Sequence, residues 1–354
     1  MKKFSKSGKN KVAEVVPDNN AVDEAAKNNA KISKPKRINP LLIIAIVVIV
    51  LLCAFAYLFF TKSWVFAPET SQTSVGKPTE QFDNTPLWSL ENYPRIDGST
   101  ATIPLNLAFK ANFTGEKIDA NSVTFSQTDA AYTRLINGEV DLILVTSPSA
   151  DEKARAKAAN VELEVTPVVN EGFVFFVNRD NPVSNLTSQQ VRDIYSGKIT
   201  NWKQVGGRDE KIMAYQRPVN SGSQTGMIDL VMKDQKLMAT PTEMIAETMG
   251  DIINIVSSYD NGSGAIGYSY YYYAVTMYTD ENVAAANNIK LLKIDGVAPN
   301  ADSIKSGKYP FRTNYYIVIN KAAAADSPAR KLQEAMLSPR GQAVAQEAGY
   351  VPVK

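Results

Sequence analysis

The sequence of 354 residues contains no histidine and a single cysteine, Cys53. Without histidine, Ser-His-Asp and Cys-His catalysis, histidine-ligated metals and histidine pH switches are all excluded. One thiol can form neither an internal disulfide nor a multi-cysteine zinc site. Carboxylate, lysine or Ser-Lys chemistry remains, as does plain binding. An excess of charge of one sign is also missing, with 38 Lys and Arg against 36 Asp and Glu. That balance hides an asymmetry. Residues 1–61 hold ten basic and four acidic side chains, and the remainder holds 28 and 32. A net-acidic body lacks the basic face that nucleic acid demands, so no nucleic-acid partner is expected. Apolar residues at 44% and charged residues at 21% are ordinary for a globular chain. The length suits one large or two medium lobes with a buried core.

Leu41 to Phe60 is a run of twenty residues without a charged side chain. As a helix at about 1.5 Å per residue it spans roughly 30 Å, the hydrocarbon thickness of a bilayer. A cleaved signal peptide is the competing reading, with Val65-Phe66-Ala67 as its nearest approach to a cleavage site. Such peptides carry a short basic head and an apolar stretch of about 7–15 residues. Here both are longer, and Pro68 follows at once, so an uncleaved single-pass anchor is expected over 41–60. Lys34, Lys36 and Arg37 crowd one flank and Lys62 stands on the other. The positive-inside rule then puts the N-terminus in the cytoplasm and the body outside, at the cell membrane. Residues 1–40 read as a disordered basic cytoplasmic tail and 61–87 as a stalk.

From Trp88 onward, strand-like and helix-like stretches alternate. Val140 to Val145, Glu171 to Asn178 and Ile317 to Ile319 read as strands; Asp151 to Asn160 and Ala329 to Ala348 read as helices. Alternation of this kind predicts an α/β fold, whose ligands sit at the carboxyl ends of strands.

Three places set small and hydroxyl residues directly before a helical pattern: Gly98-Ser99-Thr100, Thr146-Ser147-Pro148-Ser149 and Ser221-Gly222-Ser223-Gln224-Thr225. Arg217 lies four residues before the third. A helix start offers unpaired N–H groups and a positive dipole end, and hydroxyls add uncharged donors. Together they can hold a tetrahedral anion within a net-acidic domain, with Arg217 as a two-pronged donor. Each cluster is also a plausible helix cap, and Ser149 with Glu152 fits a capping box.

The stretch Ile96-Asp97-Gly98-Ser99-Thr100, the segments Asn170 to Asn178 and Ile194 to Trp202, and Arg217 with Ser221-Gly222-Ser223 form an ordered set. Ala265-Ile266-Gly267-Tyr268 and the tail from Gly341-Gln342 to Pro352 extend it. In order and spacing this set resembles the periplasmic phosphate-binding proteins that serve phosphate ABC transporters, from about Pro94 to Val353. The resemblance implies a two-lobed periplasmic-binding-protein fold, which the transmembrane helix expected over 41–60 would precede. Lobe 1 would comprise 88–172 and 310–354, and lobe 2 would comprise 173–309, crossing near Gly172 and Pro310. It implies an oxyanion held by Ser99, Thr100, Thr146, Ser147, Arg217, Ser221, Gly222 and Ser223. Inorganic phosphate or a similar oxyanion and an ABC permease are the implied partners. No catalytic residue, cofactor or metal is expected, and Ser196 with Lys198 is the nearest approach to Ser-Lys chemistry.

Departures from that pattern fall at Ala101, where many members carry a serine, and at Val219 and the second loop, where carboxylates are common. Asp97 is then the nearest candidate acceptor for a proton on the bound anion, with Asp151 behind it; both also read as surface or capping residues. Glu171 reads either as a brace at the lobe crossing or as an exposed side chain. Tyr270-Tyr271-Tyr272-Tyr273 cannot all face one cleft and is expected mainly to pack between lobes. A surface sensor or scaffold with another ligand or partner is the alternative function on the same fold.

Overall fold

The computed structural model describes residues 82–258, 262–278 and 283–354. The run 41–60, the tail 1–40 and the stalk up to residue 81 lie outside the described residues. Among those described, no helix is long and apolar enough to cross a membrane.

The strands in chain order are β1 Ile96–Gly98, β2 Leu142–Val145, β3 Leu163–Asn178, β4 Asn185–Leu186, β5 Met213–Ala214, β6 Ala265–Tyr270, β7 Ile289–Leu291, β8 Lys293–Ile294, β9 Arg312–Asn320 and β10 Val351–Pro352. An eight-stranded sheet runs β1-β2-β9-β3-β6-β5, with β7 and β10 also paired to β3, while β4 and β8 pair separately. Helices between the strands make this an α/β fold of two lobes strung on β3. From Leu163 to Gly172, β3 pairs antiparallel with β9; from Phe173 to Val177 it pairs with β6. The partner exchange at Gly172 and Phe173 joins the lobes, and the returning chain lies beside it. There Phe173 donates its N–H to Phe311 O at 2.9 Å, and Tyr309 Oη donates to Phe173 O at 3.1 Å.

Every residue of β3 from Val168 to Asn178 is buried. A strand covered on both faces reads as a continuous apolar run, which is why the sequence marks Phe173 to Val177 so clearly. The first half, Leu163 to Pro167, is only half-buried or exposed. Its mixed composition hid it, so the strand begins eight residues before the expected Glu171. At roughly 1.5–3 kcal/mol for each buried Phe, the aromatic centre Phe173, Phe175 and Phe176 is a large part of what holds the lobes on one spine.

Local rules explain the helix ends. Ser149 caps the helix Ala150–Ala158 and forms the capping box with Glu152. The expected helix from Ala329 to Ala348 is two, Pro328–Leu337 and Pro339–Glu347. Pro339 cannot continue a helix but suits a first turn, and Ser338 caps the second helix by accepting from Gly341 N. Residues 83–87, read from sequence as the end of a stalk, are tied to the body. Arg340 Nη1 donates to Asp83 O and Thr85 O, both at 2.8 Å, and Leu87 N donates to Phe113 O at 2.7 Å.

Candidate anion-binding site

β1 and β2 are parallel neighbours in one lobe, and β5 and β6 in the other. Their carboxyl ends point loops into one cleft. A cavity of about 600 Å³ lies there, walled by Ser99 and Thr100 after β1, Thr146 after β2, Arg217 to Ser223 after β5, and Tyr270 at the end of β6.

The first loop is fixed by close approach. A Cβ on Gly98 would stand 2.3 Å from Leu144 O, so only glycine fits there. Ser99 N donates to Leu144 O at 3.0 Å, and Thr102 Oγ1 donates to the same carbonyl at 2.7 Å. A single turn, Thr100–Thr102, then leads into the helix Ile103–Thr114 with Pro104 in its first turn.

The second loop places Thr146 at the cavity, its carbonyl held by Tyr132 Oη at 2.8 Å. Thr146 Oγ1 is buried and has no hydrogen-bond partner among the described residues. Ser147 is half-buried and is not part of the cavity wall. Ser149 is committed to its cap, and Glu152 is fully buried, which pushes its carboxyl up to about 6.

The third loop carries the only arginine of the cavity wall among the described residues. Arg217 Nε donates to Ser223 Oγ at 3.2 Å and Nη1 to Ala246 O at 2.6 Å. Its main-chain N–H donates to Gln224 Oε1 at 3.1 Å and Tyr268 Oη at 3.0 Å. No carboxylate ion-pairs with it among the described residues, and burial lowers its affinity for the proton. Arg217 is half-buried, its hydrogen-bond partners are neutral, and Asp251 and Glu247 act on it only from beyond ion-pair distance, so its charge is free to serve an anion in the cavity. Ser221 caps the helix Gly222–Gly226 by accepting from Gln224 N at 3.2 Å.

Of the eight sequence-predicted binding residues, the fold thus brings seven to one cavity and leaves Ser147 aside. Asp97 does not reach the cavity, and its carboxylate is fully engaged elsewhere. It accepts from Gly98 N and Ser126 N at 2.7 Å, from Ser126 Oγ at 2.5 Å and from Arg134 Nη1 at 2.6 Å. Asp97 therefore holds the segment Ser126 to Thr128 against the first loop. Asp151 is also committed, to Arg155 and, across the cleft, to Asn220.

A model described as the PBP superfamily domain matches residues 67–343. The chain is 30% identical over 260 residues to phosphate-binding protein PstS of Bacillus subtilis (strain 168), covering 73% of this chain and 80% of that protein. The chain belongs to the phosphate-binding-protein family of the PBP superfamily. A candidate phosphate ABC transporter substrate-binding protein of Clostridium perfringens superposes with a TM-score of 0.57 at 23% identity, over 73% of this chain and 98% of that one. An ABC-type phosphate transport receptor from Vibrio cholerae gives 0.53 at 25%, over 72% and 98%.

This family member also has wall residues that sequence reasoning missed. Gln127 and Thr128 enter through the Asp97 network, which links residues 29 apart in sequence and leaves no local signal. Asp129 and Glu247 put two carboxylates in the wall, Asp129 already paired with Arg155. The tyrosine run divides: Tyr270 and Tyr273 line the cavity, whereas Tyr272 is buried and stacks on Tyr350 with centroids 3.6 Å apart. Glu171 is buried at the lobe crossing. It accepts from Gly172 N at 2.8 Å and Tyr272 N at 3.3 Å, and burial pushes its carboxyl up to about 8.

Proposed function

We propose that this chain captures phosphate in the cleft and delivers it to the permease of an ABC transporter. The observation that carries the reading is Arg217, set in a cavity wall rich in hydroxyl side chains and, among the described residues, ion-paired to no carboxylate. Preorganised donors of this kind bind a tetrahedral oxyanion strongly in a cleft that excludes water. The relatives' binding of phosphate supports the same ligand. Ser99, Thr100, Thr146, Arg217, Ser221, Gly222 and Ser223 are the binding set.

Closure is a hinge motion of residues 88–172 and 310–354 against 173–309, pivoting where β3 exchanges partners. The apolar run 41–60 anchors the protein in the cell membrane as a single pass, with the basic tail cytoplasmic and the binding domain outside. The domain binds and releases its ligand without chemistry.

Titration calorimetry on the full chain in detergent, stripped of ligand by unfolding and refolding, tests the reading. Phosphate should bind, and Arg217→Ala should weaken it by at least about 100-fold, the loss expected when a charge-assisted, two-pronged donor is removed. If wild-type protein binds neither phosphate nor sulfate, the fold serves as a sensor or scaffold for something else.

A further inference from the structure

Three tyrosines, Tyr270, Tyr273 and Tyr315, line the cavity, and the buried pair Tyr270 and Tyr315 contributes to its floor. Tyr315, in β9 opposite Val169 of β3, is fully buried and forms part of the cavity wall. Its ring lies 5.3 Å from that of Tyr270 and 6.4 Å from that of Tyr350. The neighbouring hydroxyls are committed to main-chain carbonyls. Tyr270 donates to Gly222 O at 2.9 Å, Tyr350 to Ala101 O at 2.7 Å and Tyr272 to Ala348 O at 3.1 Å. Tyr315 Oη, by contrast, has no hydrogen-bond partner among the described residues.

A buried hydroxyl without a partner destabilises a fold, so such groups call for an explanation. Packing alone does not supply one, because phenylalanine fills the same space without the polar atom. The rings of Tyr270 and Tyr350 hold Tyr315 in place, and burial keeps its hydroxyl protonated, as a donor must be. Thr146 Oγ1, the other cavity-wall hydroxyl that is buried and unpartnered, lies in the second loop.

We propose that Tyr315 is a binding residue whose hydroxyl donates to an oxygen of the bound oxyanion from the floor of the cleft. The proposal rests on the phosphate reading above and extends it. The first three contacts come from loops at strand ends, whereas this one comes from the interior of β9, a strand paired with the lobe-joining β3. The ligand is thereby seated on the spine of the protein as well as on its loops. An anion too shallow in the cleft would miss the hydroxyl.

Tyr315→Phe removes one oxygen and keeps the ring. Calorimetry of the full chain in detergent with inorganic phosphate should show binding weakened about 10- to 100-fold, as expected for a hydrogen bond to a charged ligand. The ligand-free melting temperature should stay level or rise. Unchanged phosphate affinity in the variant overturns the proposal, and so does a variant that only alters the pH dependence of stability, which would assign the hydroxyl to Glu171. Failure of the wild type to bind phosphate would instead overturn the phosphate reading, and this proposal with it. Should the variant melt early, tyrosine ζ-¹³C NMR of the wild type decides. The resonance missing from the variant must shift on phosphate addition, and a resonance that stays in place overturns the proposal.

Discussion

Gly222 faces Thr146 across the cleft so closely that a Cβ on the glycine would stand 2.6 Å from Thr146 Oγ1. The same Cβ would be 2.8 Å from Thr128 Oγ1. Two loops from different lobes therefore meet at a residue with no side chain. Without a side chain there, the opposing hydroxyls have room beside it.

Gly222→Ala is thus expected to block full closure without unfolding either lobe. Phosphate affinity should fall by about tenfold or more, because a rigid methyl meets two hydroxyls at sub-contact distance. Small-angle scattering should show that phosphate no longer compacts the variant as it does the wild type. Equal compaction and equal affinity would contradict this account of the glycine.

Asp97 sits inside the fold with four donors around it, one of them Arg134, whose side chain is 41% exposed. Asp97→Asn should lower stability by about 1–3 kcal/mol, since a buried charge-assisted network loses its charge while Arg134 can turn to water. Phosphate affinity of the folded protein should change little. A loss of phosphate relative to sulfate binding would mean that this carboxylate does act on the ligand.

Glu171 is buried against main-chain N–H groups, and desolvation raises its pKa from 4.5 to about 8. A carboxyl raised in this way binds more protons folded than unfolded. Its effect is therefore to lower stability as pH climbs between those two values, by at most about 1.4 kcal/mol per pH unit, and to add nothing further above them. Thermal melting across pH 5 to 8 should show this slope in the wild type and a flatter profile in Glu171→Gln. Identical profiles would remove the carboxyl as their cause.

Asn220 Nδ2 donates to Asp151 Oδ2 at 3.2 Å from the opposite rim of the cleft. Asn220 holds φ 64°, a left-handed conformation that asparagine tolerates. An exposed contact of this kind contributes at most about 1 kcal/mol. Asn220→Gly keeps the backbone and removes the contact, so phosphate should dissociate up to about fivefold faster with association unchanged. Stopped-flow displacement would measure both rates, and an unchanged dissociation rate would exclude the contact from ligand retention.

What could be read along the chain was whatever depends on neighbours a few residues apart. The cap at Ser149 with Glu152 and the helix starts behind Ser99 and Ser221 are patterns of that range, as is the buried run from Phe173 to Val177. So is the break at Pro339, a proline that ends one helix and opens the next. Absent histidine and an acidic body narrowed the chemistry before any fold was in view. The tertiary structure alone decided which side chains meet. Asp97 is drawn away from the cleft by Ser126 and Arg134, 29 and 37 residues further on. Thr128 reaches the cavity through the Asp97 network and Tyr315 through strand order and register, and Ser147, next to Thr146, is left outside it. Caps and periodicity are local free-energy preferences, whereas the direction of a side chain into a shared cleft follows from packing between segments far apart in the chain.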